Sequence, residues 1–74
     1  MEKKDEELIL TLLDREPELR RHYEEHVDLE RQLGALQQRH YLSPEEELHK
    51  KRLQKLKLAG KDRIMEILAR HREH

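Results

Sequence analysis

The chain contains no cysteine, tryptophan or phenylalanine, only two tyrosines, and two each of glycine and proline. Without thiols there is no disulfide framework, no thiolate metal site and no cysteine nucleophile. So little glycine and proline excludes a collagen-like chain or a flexible linker protein. Long apolar runs are missing as well. The longest is Leu8-Ile9-Leu10, reaching Leu13 only if Thr11 is passed over, against the roughly twenty residues that a bilayer span requires. Lys3-Lys4-Asp5-Glu6-Glu7 precedes that run and no small-residue cleavage site follows. No signal peptide is expected, and the expected location is cytoplasmic.

What is present is charge. Of the 74 residues, 45% are charged and 34% apolar, with a mean hydropathy of −1.20. Such a composition could stay disordered, but 16 basic residues balance 17 acidic ones, and the leucines recur with a helical period. The length allows one domain, spanning residues 1–74, with a core too small and too poor in aromatics to hold a monomer firmly.

Two prolines divide the chain into three helical segments. Residues 4–14 carry Leu8, Ile9, Leu12 and Leu13 at helical spacing, while Leu10 points elsewhere, so this short helix is apolar nearly all round and expects partners on more than one face. Pro17 ends it and suits the first turn of the next. Arm one, residues 17–40, places Leu19, Tyr23, His26, Leu29, Leu33 and Leu36 at steps of three and four, a coiled-coil-like seam. A turn at 41–43 follows. Ser43, Pro44 and Glu46 then form a helix start in which Ser43 and Glu46 are a capping box. Arm two, residues 44–70, presents Leu48, Leu53, Leu56, Gly60, Ile64 and Ile67.

Two long amphipathic helices joined by so short a link return antiparallel. Folding about residues 41–43 sets Leu36 near Leu48, Leu33 near Leu53, Leu29 near Leu56, His26 near Gly60 and Leu19 near Ile67. Residues 1–42 hold seven basic and eleven acidic side chains, and residues 43–74 nine and six. An acidic arm therefore faces a basic one. The expected fold is an all-α antiparallel helical hairpin with a short N-terminal helix. Leu10, Val27, Leu58 and Met65 lie outside the seam, which points to assembly into a dimeric or larger helical bundle.

On these residues the chain resembles the YdcH-like family of small bacterial proteins. The resemblance covers about Leu8 to Leu68. In arm one it rests on Pro17, Leu19, Tyr23, His26, Leu29, Glu30 and Leu33. In arm two it rests on Leu42-Ser43-Pro44-Glu45-Glu46 and on Leu56-Lys57-Leu58-Ala59-Gly60-Lys61-Asp62-Arg63-Ile64. It implies a helical hairpin that associates through its helices, and no assigned activity. Gly60 departs from it, standing where the family usually has leucine. A helical glycine costs about 1 kcal/mol relative to alanine, and at this register its missing side chain would leave room for the His26 imidazole.

The histidines invite a chemical reading. His22 and His26 stand four apart on one helix face, the spacing of a paired metal site, but Tyr23 occupies the place where a metalloprotease has glutamate. Gly60, Arg63 and Ile64 across the seam supply no further ligand. No metal or other cofactor is expected. Protonating all six histidines would carry the net charge from −1 to +5, and a charged His26 in an apolar seam would weaken association below about pH 6. Lys50, Lys51, Arg52, Lys55, Lys57, Lys61 and Arg63 could neutralise phosphates. They spread around their helix without interleaved aromatics, and the isoelectric point is near 6.6. Glycine-rich phosphate loops and nucleophile elbows are absent, and the single serine is a helix cap. The expected function is a non-catalytic module for protein–protein interaction that self-associates and has no small-molecule substrate. The alternative is an electrostatic nucleic-acid or ribosome-associated protein acting through the second arm.

Overall fold

The structure, a computed structural model, describes residues 1–72; His74, one of the six histidines, lies outside them. The described residues form three helices, α1 (Lys3–Leu12), α2 (Pro17–Gln37) and α3 (Pro44–Arg72). α2 and α3 pack along their length as an antiparallel hairpin, and α1 folds back against both. The molecule is a rod of 47 × 18 × 17 Å. None of its helices is long and apolar enough to cross a membrane.

Local chemistry explains where each helix starts and stops. α1 ends at Leu12, two residues before the expected Asp14, because the Leu12 carbonyl accepts from the Arg15 and Glu16 amides in a tight turn. Pro17 then opens α2, where its missing N–H is no loss. At the head of α3 the capping box is complete. The Glu46 amide donates to Ser43 Oγ at 3.2 Å, and the Ser43 amide donates to Glu46 Oε1 at 3.0 Å. Arg39 Nη1 donates to the second oxygen of Glu46, tying the end of α2 to the start of α3 across the turn. Glu45, Glu46 and Glu47 in the first turn of α3, and Arg70, His71 and Arg72 in its last, oppose the helix dipole at both ends.

The core is divided. Ile9, Leu12, Leu19, Ile64, Ile67 and Leu68 form one buried cluster where all three helices meet, flanked by half-buried Leu8, Leu13, Tyr23 and Met65. A second, smaller cluster of Leu29, Leu33 and Leu53, with Leu36 at its edge, lies nearer the turn, and α1 contributes nothing to it. Between the two sits His26, the only buried polar residue of those described, at 4% exposure.

Candidate interaction surface

Burial defines the seam. Along α2 it runs through Leu19, His22, His26, Leu29, Leu33 and Leu36; along α3, through Lys50, Leu53, Lys57, Gly60, Ile64, Ile67 and His71. Both series step by three and four alternately, the 3.5-residue period of paired helices. Run antiparallel with Leu33 beside Leu53, they set His26 opposite Gly60 and Leu19 opposite Ile67. Leu29 then falls opposite Lys57, and Leu36 opposite Lys50.

Three seam residues expected from the sequence are therefore displaced. Tyr23 yields its seam position to His22 and packs at the edge of the cluster that holds Ile9 and Leu12. Leu48 and Leu56 are 53% and 51% exposed. At about 100° per residue, Leu48 is turned some 140° from Leu53, and Leu56 some 60°. Lys50 and Lys57 hold the seam positions instead, covering apolar surface with their methylene stems while the ammonium reaches water. Ala59, Arg52 and Arg63 also face solvent.

Gly60 does not make room for the imidazole. A Cβ built there meets nothing within 4 Å, and the same holds at Gly34. No close approach requires either glycine. Gly60→Ala should therefore raise stability by about 0.5–1 kcal/mol, by restricting the unfolded chain and improving helix propensity. The urea midpoint reports it; a fall would mean that the site is tighter than its geometry.

The waist of the hairpin is polar on its outer edge. His26 Nε2 lies 3.0 Å from Glu30 Oε1, and Lys57 Nζ lies 3.7 Å from the same oxygen. His26 Nδ1 is buried without a hydrogen-bond partner, as is His22 Nε2. The seam around His26 is thus not purely apolar. Toward the open end of the hairpin, Arg63 and Arg70 of α3 reach Glu18 at 3.2 and 3.9 Å. His71 Nε2 lies 2.9 Å from Glu16, and Arg72 lies 2.5 Å from Asp5. In each of these pairs the acid comes from the N-terminal half and the base from α3; only Arg39–Glu46 is reversed. The exposed pairs contribute tenths of a kcal/mol each, and their value lies in fixing register. Hydrogen bonds from Arg31 and then Gln32, the latter at 2.7 Å, hold the Asp28 carboxyl below the usual carboxylate range.

No group of three or more histidine, aspartate or glutamate side chains among the described residues converges as a metal site would need. His22 has only Glu18 nearby, at 3.9 Å, and His26 only Glu30.

One flank of the hairpin carries an open groove of about 500 Å³. Glu30, Leu33, Gly34 and Gln37 form one wall, and Gln54, Lys57, Leu58 and Lys61 the other. Each wall is an i, i+3, i+4, i+7 set, the four-residue lattice that receives a side chain from a third helix. Leu58 stands on its rim at 61% exposure. The lattice was readable in the sequence as a second stripe, Tyr23-Val27-Glu30-Gly34-Gln37, but it carries little apolar weight and a leucine count overlooks it. No family model, no curated protein and no solved structure matches this chain.

Proposed function

We propose that this protein is a non-catalytic helical interaction module that self-associates, with the YdcH-like resemblance as its family reading and the cytoplasm as its location. The observation that carries this is the exposed aliphatic surface of a chain with a divided core. Leu10, Val27, Leu48, Leu56 and Leu58 all face solvent, while the buried aliphatics form two clusters. A chain of this size has little hydrophobic stabilisation to spare, and association is a common remedy. Electrostatic binding of nucleic acid through α3 has less support, because Lys57 and Arg63 of its basic run are engaged by Glu30 and Glu18 of α2 and the other bases spread around the helix without interleaved aromatics.

Light scattering across the micromolar to millimolar range tests this, with a dimer or larger oligomer expected. A mass of one chain at every concentration would overturn it. Nucleic acid that copurifies at low salt and is released at high salt would favour the electrostatic reading instead.

A further inference from the structure

The groove on the hairpin flank is the vacant half of a longer one. Its walls extend toward the open end of the rod through Val27 and Tyr23 on α2 and through Met65 on α3, at steps of three and four. Tyr23 and Met65 pack against the cluster that holds Ile9 and Leu12. α1 therefore fills one half of the groove, and nothing among the described residues fills the half beside Gly34 and Leu58.

α1 itself is used on only one side. Ile9 and Leu12 face its own hairpin, whereas Leu10 is 60% exposed. Within α1, Lys3, Glu6 and Glu7 flank Leu10 at helical spacing, so this outward face is apolar at its centre and net acidic around it. The vacant groove has the opposite character. It is apolar at Leu33 and Leu58, open at Gly34, and bordered by Lys57 and Lys61. Glu30 already holds Lys57, while Lys61 has no acidic partner among the described residues.

We propose that the outward face of α1 in a second copy of this chain occupies the vacant half-groove. Leu10 enters the lattice between Gly34 and Leu58, and Glu6 or Glu7 approaches Lys61. A two-fold axis across the rods, perpendicular to their length, makes the contact reciprocal. Each α1 then lies between its own hairpin and the partner's, and each groove is filled along its full length. The inward face of α1 reads one half of the groove and its outward face the other, so the occupant is supplied by the chain itself. This rests on the self-association proposed above and assigns it a surface.

The absence of cysteine gives a direct test. Copies carrying Leu10→Cys are mixed with copies carrying Leu58→Cys and mildly oxidised. A disulfide needs Cα atoms within about 7 Å, so the mixed dimer should crosslink, whereas Leu10→Cys mixed with Leu48→Cys, about 15 Å along α3 from Leu58 and some 80° around it, should not. In parallel, Leu10→Asp and Leu58→Asp should each weaken association at least about tenfold by light scattering, and Leu48→Asp should leave it intact. All three positions are exposed, so the fold persists, and circular dichroism confirms it. A wild-type oligomer that survives both aspartate variants, or crosslinks equally through Leu48→Cys, overturns this surface and leaves self-association standing. A wild type that is monomeric at every concentration overturns both.

Discussion

Ile64→Ala should leave a large fraction of the chain unfolded at room temperature. Ile64 is fully buried in the cluster where the three helices meet. Truncating an isoleucine in such a place costs about 2–5 kcal/mol, from lost transfer free energy and from the cavity left behind. A domain this small is stabilised by only about 3–5 kcal/mol in total. Loss and total are of the same size, so the substitution removes most or all of the stability. Ile64→Val, which removes one methyl group, should cost about 1 kcal/mol and stay folded. Leu56→Ala, on a residue that the leucine pattern puts in the seam and the structure puts in solvent, should change stability by less than about 0.5 kcal/mol. Urea unfolding followed by far-ultraviolet circular dichroism, at one fixed protein concentration, measures all three. Equal losses at Leu56 and Ile64 would mean that α3 is rotated from the orientation described.

His26→Leu should have a large effect of the opposite sign. The imidazole is buried with Nδ1 lacking a partner, and an orphaned buried polar atom costs about 1–3 kcal/mol. Its other nitrogen lies 3.0 Å from Glu30, a half-exposed carboxylate that water can serve when the imidazole is gone. That contact is therefore worth less than the orphan costs. Leucine also bridges the space between the two apolar clusters and favours the helix. The net gain should be about 1–2 kcal/mol, raising the melting temperature by roughly 5–10 °C. His26→Ala, which removes the orphan without filling the space, should not reproduce the gain. A lower melting temperature for His26→Leu would show that the histidine–glutamate–lysine arrangement stabilises the waist on balance.

These outcomes follow from the places where sequence and structure part. The two long helices and their antiparallel return were legible, because Pro17, the Ser43–Glu46 box and the three-four spacing of arm one are local signals that packing had no reason to override. The orientation of α3 was less so. Its leucines at 48, 53, 56 and 58 do not share a phase, and weighting residue type above period drew Leu48 and Leu56 into the seam. The structure follows period instead, admitting Lys50 and Lys57 because a lysine stem is apolar for most of its length. Gly60 misled in a related way. A departure from a resembled family invited a steric purpose, and the geometry provides none. For the candidate surface, Leu10 and Leu58 stood out in the sequence as aliphatic residues without partners. The half-groove that links them did not, since it exists only once α1 has taken its place beside Tyr23 and Met65.

The uneven division of the core has a dynamic consequence. The end of the rod that holds α1 is secured by six buried aliphatic side chains, whereas the end at the turn relies on three. Local opening draws on the free energy of the nearest packed unit. The tip of the hairpin should therefore breathe more often than its base, with amides around Leu33 and Leu53 exchanging with deuterium before those around Ile64.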